Sequence, residues 1–444
     1  LGIGVLMGSV VVVGAGLSGL TAGYRLAESG ATVVVLETGA RPGGRVGTET
    51  HGSYVVDTGP DALTAGYSSY LRLVGDLGLQ RRVVDTAAVI GLVRGGRIVD
   101  IDPDKPWRLP FTPALSWGAK LRMITGILRQ RSAIASVDSY DMVSSAALDD
   151  PDRTAAEFAA EQFGGEVADY LIDPLMRLTV GSGAANASTV NVLGALGAWS
   201  SSLQTVRGGL GFVTDELAKR LDVRYGATVT RVDETATGVS VGYRDESGEH
   251  ELTADGAVIG AMYNRATEIW PTLSSASPAF GDKLRKVKLI SVSLGYSVRA
   301  KTAAYPVLVP TVENREALLI FMQHNKCADR APAGHSLVTI YTDTTVTDTF
   351  LDRTDRELEL WAANIIEGLC PELAGHRDMS VVTRWPVAGY LADPGFWRRS
   401  SSLLGALPHD GPVKMAGDLF GAGSMESATR WGERAAAELL RRNR

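Results

Sequence analysis

Apolar and polar positions along the chain follow two periods. Val10 to Val13 is an apolar run of the length of a buried strand, and Leu20 to Ser29 predicts a helix. Ala31 to Leu36 predicts a second strand, ending on Glu37. Leu121 to Ala135 mixes Leu, Ile and Met with Lys120, Arg122, Arg129 and Arg131. That pattern predicts a solvated helix over a core, the alternative being a helix that docks on a membrane surface. Further on, Val213 to Leu221 predicts a helix, Tyr225 to Val232 a strand, and Ser247-Gly-Glu249 a hairpin turn. Ala257 to Gly260, Ile290 to Tyr296 and Val413 to Asp418 predict strands, and Ala428 to Arg441 a closing helix. Strands alternating with helices at both ends point to an α/β fold.

The first strand and helix are joined by Gly14-Ala-Gly16-Leu-Ser-Gly19. Gly14 permits a tight turn, Gly16 lets backbone approach a pyrophosphate, and Gly19 allows close packing of helix on strand. Free amides at the helix N-terminus then face phosphates. Glu37, at the end of the next strand, is placed to accept hydrogen bonds from ribose hydroxyls. Its charge disfavours a 2′-phosphate, so FAD or NAD is expected ahead of NADP. Immediately after it, Gly39-Ala-Arg41-Pro-Gly43-Gly44-Arg45 offers close backbone approach and two arginines to offset phosphate charge. An NAD dehydrogenase has no need of this second loop so soon after the ribose carboxylate.

Composition changes this picture little. A chain of 444 residues has room for two or three lobes, and 45% hydrophobic with 21% charged residues is ordinary for a soluble enzyme. A net charge of -6 argues against nucleic acid as the main partner. Cys327 and Cys370 sit in no metal-ligand or CxxC spacing, and the six histidines form no metal motif, so buried neutral thiols and no metal are expected. Leu1 to Gly19 is apolar but lacks a basic front and is used by the first strand, so no membrane anchor or signal peptide is expected and a cytoplasmic location is the default. Leu1 to Leu6, ahead of Met7, read as an upstream extension or an added segment.

With both glycine loops in view, the chain resembles the flavin-containing amine oxidase and protoporphyrinogen oxidase superfamily. The resemblance implies a Rossmann-type FAD-binding domain, discontinuous in sequence, with an α+β substrate domain. It assigns residues 7–80, 205–290 and 410–444 to FAD and 81–204 and 291–409 to substrate. Gly43, Gly44 and Arg45 are implied to run along the pyrophosphate and ribityl chain. Val56-Asp-Thr-Gly59-Pro-Asp61 resembles the family's loop near the flavin ring, and a backbone group at Val229 is implied to meet the adenine. Val413-Lys-Met-Ala-Gly417-Asp418 and the turn that follows resemble the closing FAD motif. Asp418 is thereby implied to bind ribityl hydroxyls, and Met425 to offer an amide near the flavin pyrimidine edge. Ser427 stands where relatives commonly have Gly. No cysteine matches a covalent attachment, so the expected FAD is noncovalent.

The resemblance implies hydride removal from a substrate carbon, with both electrons passed to molecular oxygen to give hydrogen peroxide. Candidate residues around the reacting atoms are Tyr390, Trp385 and Arg177. Two of them have a structural alternative: Tyr390 as a core aromatic, and Arg177 as the partner of a helix-capping Asp173. Lys286 and Lys288 precede a strand, and neither aligns clearly with the lysine that many amine oxidases hold near the flavin. The expected substrate is a small amine, amide or N-heterocycle. Gly59-Pro-Asp61-Ala-Leu63 and Arg384-Trp-Pro386 lean instead toward porphyrinogen oxidation, the runner-up, and a non-catalytic flavoprotein is the third reading. No transmembrane segment is expected, and a homodimer is left open.

Overall fold

The computed structural model describes residues 8–198 and 201–442. The proposed upstream extension Leu1 to Leu6 therefore lies outside the described residues. Five parallel strands form the first sheet, in the order Asp222–Tyr225, Thr32–Glu37, Ser9–Val13, Gly256–Ile259, Val413–Met415. Val10, Val12 and Val35 are buried, as strands covered on both faces require. Helix Leu17–Glu28 follows the first strand, and helix Met425–Arg442 packs against it. A Cβ on Gly432 would lie 2.4 Å from the Ser18 carbonyl, so these helices touch backbone to backbone.

Several boundaries move for identifiable reasons. The first helix starts at Leu17, three residues early, and the last at Met425, so Met425 lies in a helical first turn. The strand expected over Tyr225 to Val232 is two strands. Asp222–Tyr225 joins the parallel sheet, Gly226 turns at φ +68, and Thr228–Glu234 enters a separate antiparallel sheet with Val239–Asp245 and Gly248–Ala254. The expected hairpin is the link between the last two. The strand at Val413 ends at Met415, and Asp418 follows Gly417, which holds φ +123.

The second sheet has seven strands, in the order Arg377–Tyr390, Lys286–Tyr296, Ser336–Thr342, Ala317–Met322, Pro306–Leu308, Ile90–Arg94, Arg97–Ile101. Lys286–Tyr296 crosses the expected lobe seam at 290/291. Alternation decides what each face meets. Ile320 and Met322 pack with Leu358 and Ile366 of helix Asp355–Leu369, while Leu319 and Phe321 point the other way. Pro386 has no N–H to give the ladder, and the pairing slips from Leu289↔Trp385 to Val287↔Gly389. The extra residues bulge out of the sheet. Both cysteines are free thiols, and burial pushes that of Cys370 up to about 12.

Candidate active site

One cavity of about 810 Å³ runs from the first glycine turn to the face of the second sheet. Its volume is near the top of the roughly 300–1,000 Å³ range of ligand pockets. At one end the wall is backbone. Gly14 holds φ +95, and a Cβ on Gly16 would meet nothing within 4 Å, so the helix N-terminus behind it is open to the cavity. Gly16 also offers no side-chain cap to the first N–H groups. The Ser18 hydroxyl, buried at the cavity wall, has no partner among the described residues. Gly19 serves packing, because a Cβ there would lie 2.1 Å from the Gly14 carbonyl. Gly43 donates to the Ala15 carbonyl at 2.8 Å, which lays the second glycine loop alongside the first.

Glu37 closes this end. Its two carboxylate oxygens accept from the amides of Ala15 and Gly39, each at 2.7 Å, and it borders the cavity. Arg41 does something else. Its guanidinium donates to the carbonyls of Pro42, Gly44 and Val46 and folds the loop from outside, away from the cavity lining. Here Arg41 shapes the loop, and its side chain is not among those that border the cavity. Val229 borders the cavity, and its carbonyl accepts from Arg265.

Arg45 and Asp418, far apart in sequence, form a bidentate pair at 2.8 and 2.9 Å. Arg45 also donates to the Ala388 carbonyl, which the Pro386 bulge presents. Burial works against the arginine charge, but Asp418 outweighs it and holds the guanidinium above its usual range. Gly59 passes close beneath, where a Cβ would lie 1.8 Å from the Arg45 carbonyl. Gly417 and Met425 complete this wall. Ser427, in place of the family's usual glycine, is accommodated: its hydroxyl donates to the Tyr140 carbonyl and its amide to Ser424.

The opposite half is assembled from side chains. Trp385 donates its indole N–H to the Thr58 carbonyl at 2.7 Å. Tyr390 donates to Asn264 Oδ1 at 2.9 Å and accepts from the Asn264 amide. Burial pushes the Tyr390 phenol up to about 12, with the Asn264 amide and Arg45 pulling the other way. Leu289, Leu318, Leu319 and Phe321 form an apolar wall, a register shift after Ala317 bringing Leu318 to the same side as Leu319.

Arg177 borders this half, yet its guanidinium is fully engaged. It pairs with Asp343 at 2.9 Å and donates to the carbonyls of Val309, Asn314 and Arg315. That spends the group on joining a helix to the sheet. The alternative pairing with Asp173 is also corrected, since Asp173 accepts from the amides of Ala184 and Thr311. Lys288 lies on the far face, bonded to Asp348, and Lys286 is exposed. Sequence reasoning missed a third lysine. Lys326 is fully buried between Asp57 at 2.7 Å and Asp61 at 2.9 Å, with Arg330 also on Asp57. It follows a strand in a single helical turn, Gln323–Lys326, which carries no motif. Asp61 borders the cavity but is saturated by Lys326, Gln323, Tyr305 and Tyr341. Among the described residues, no His, Cys, Asp and Glu cluster suits a metal.

The open glycine cradle, the Ser18 hydroxyl without a partner among the described residues, and Glu37 at the end of its strand fit FAD. The sequence profile described as flavin containing amine oxidoreductase matches residues 17–440. A protoporphyrinogen oxidase of Nicotiana tabacum is 32% identical, over only 39% of this chain and 32% of its own length. A coproporphyrinogen III oxidase of Propionibacterium freudenreichii is 24% identical over 85% of this chain and 80% of its own. The solved cyclohexylamine oxidase of Brevibacterium oxydans superposes with a TM-score of 0.76 at 20% identity, covering 98% of each chain. With the Rossmann-type sheet, the second sheet and the cavity between them, these matches settle the class: the chain belongs to the flavin containing amine oxidoreductase family and is an FAD-dependent oxidoreductase.

Proposed function

We propose that the protein oxidises an apolar amine, amide or N-heterocyclic small molecule that enters as an uncharged species, with molecular oxygen as acceptor and hydrogen peroxide as product. One observation carries the reading. The charged side chains bordering the cavity already have internal partners: Asp418 for Arg45, Asp343 for Arg177, Lys326 for Asp61, Glu268 for Arg265, and two backbone amides for Glu37. In the substrate half, away from Glu37, neither a polycarboxylate nor a dication finds an unpaired counter-charge among the described residues. The FAD, when bound, supplies the hydride acceptor and the route of two electrons to oxygen.

The remaining work belongs to this chain's residues. The wall of Leu289, Leu318, Leu319 and Phe321 excludes water and favours the neutral form of an amine, whose lone pair must be free during hydride loss. The Tyr390–Asn264 pair supplies polar atoms to orient the nitrogen, and the Trp385 ring, fixed by Thr58, packs beside it. In this reading the FAD lobe draws on 7–80, 205–290 and 410–444, and the substrate lobe on 81–204 and 291–409. The coproporphyrinogen III oxidase match, over 85% of this chain and 80% of its own length, favours a second reading, dehydrogenation of a porphyrinogen. Anaerobic mixing with amines, amides and porphyrinogens, followed by oxygen and a peroxide assay, tests the proposal. Bleaching of the flavin by an apolar amine with stoichiometric peroxide on reoxidation is expected. Bleaching by a porphyrinogen alone, or by nothing in the panel, overturns it.

A further inference from the structure

Helix Trp117–Ser136 carries two apolar stripes, and the fold uses one. Ala119, Met123, Gly126, Ala133 and Ile134 face inward. Trp117, Leu121, Ile124 and Leu128, at i, i+4, i+7 and i+11, face solvent, with Trp117 65% and Leu121 64% exposed. The 3-10 turn Pro106–Phe111 extends the patch with Trp107 at 66% and Phe111 at 79% exposure. The two elements are fixed to each other. Lys120 donates to the carbonyls of Pro110 and Thr112, at 2.7 and 2.8 Å, and the Phe111 and Trp117 rings meet edge to face. An aromatic-rich apolar patch this well built and this exposed marks an interaction surface.

Charge identifies the partner. From Lys105 to Arg131 the chain places Lys105, Arg108, Lys120, Arg122, Arg129 and Arg131 with no carboxylate between them, in a chain of net charge -6. Asp102 takes Lys105, and Glu166, the carboxylate beneath the helix start, is held by Arg94 and Ser116. Arg108, Arg122, Arg129 and Arg131 enter no ion pair among the described residues. Two copies meeting through this face would set cation against cation, because a twofold contact is self-complementary only if its charges are. An anionic lipid surface satisfies both halves of the patch: rings and aliphatic side chains at the acyl boundary, cations at the headgroups.

We propose that this face is a peripheral docking site for membranes rich in anionic lipid. Among the described residues no helix is long and apolar enough to cross a bilayer, so docking would be on the surface and reversible. The FAD-loaded protein is sedimented with vesicles of phosphatidylcholine alone and of phosphatidylcholine and phosphatidylglycerol in equal parts. Binding to the mixed vesicles only, reduced by salt, is expected. Arg122→Gln with Arg129→Gln should weaken it by about tenfold or more, and Trp107→Ser with Phe111→Ser should abolish it. All four changes lie at exposed positions, so flavin content and circular dichroism should stay at wild-type values. No binding to either vesicle overturns the proposal. So does binding untouched by the substitutions, or a dimer in solution that the Trp107 and Phe111 changes dissolve.

Discussion

Two ion constellations border the same cavity and are built on opposite terms. Arg45 and Asp418 pair at the cofactor end, with side chains 33% and 18% exposed and acceptor capacity left on the carboxylate. Lys326, Asp57, Asp61 and Arg330 lock together at the other end with no exposure to speak of. There, Asp57 also accepts from Thr48 and from the Leu210 amide, and its carboxyl is held below the usual range by Lys326 and Arg330 against the larger pull of burial. A pair that keeps open valence can take a ligand. A saturated one holds the fold and leaves the neighbouring pocket electrically quiet.

The largest expected effect of breaking this contrast is on the closed network. Lys326→Met leaves the buried Asp61 without a cation and Asp57 with Arg330 alone, and a loss of about 3–5 kcal/mol in unfolding free energy is expected, read by urea denaturation of the FAD-loaded protein. A loss below about 1 kcal/mol would mean the network is as exposed in its energetics as a surface pair.

The same short helical turn carries His324, which burial first and Arg299 second depress from 6.5 to about 4. The native state thus keeps it neutral while the unfolded chain takes up a proton as pH falls below 6.5. Stability from this group is present above that value and is lost as pH falls toward 4, by on the order of 3 kcal/mol. His324→Gln should flatten that part of the stability profile. An unchanged slope would assign the acid sensitivity elsewhere.

The smallest effect on the fold, and the most selective for function, is expected of Asp418→Ala. The melting temperature of the flavin-free protein should move little, while FAD retention through gel filtration should drop about tenfold, the loss of charged hydrogen bonds to a ligand and to Arg45. Equal retention would remove Asp418 from the cofactor site and erase the distinction between the two constellations.

The same contrast explains what could be read from the chain. Gly14, Gly16, Gly43 and Gly417 are visible because a backbone conformation or a close approach demands a residue type at a fixed spacing. Glu37 is visible because it ends a strand of predictable length. The charge of Arg41 suggests phosphate, and nothing local in the sequence shows that its guanidinium also serves three carbonyls of its own loop. Lys326 was illegible: its partners stand more than 260 residues away in sequence, and nothing local marks a lysine that will be buried. Arg177 was noticed for its place in an apolar stretch, and only the sheet reveals Asp343 as its reason. The apolar wall of Leu318, Leu319 and Phe321 depends on a register shift that alternation alone does not disclose.

The substrate half of the cavity, with its charges paired internally, is proposed to accept an uncharged apolar molecule. Stopped-flow flavin reduction under anaerobic conditions tests it most directly, comparing cyclohexylamine, putrescine and coproporphyrinogen at equal concentration over a range of pH. Fastest reduction by cyclohexylamine is expected, with a rate that climbs with pH as the neutral amine becomes abundant. Faster reduction by coproporphyrinogen, or by putrescine at a pH where both its amines are charged, would contradict it.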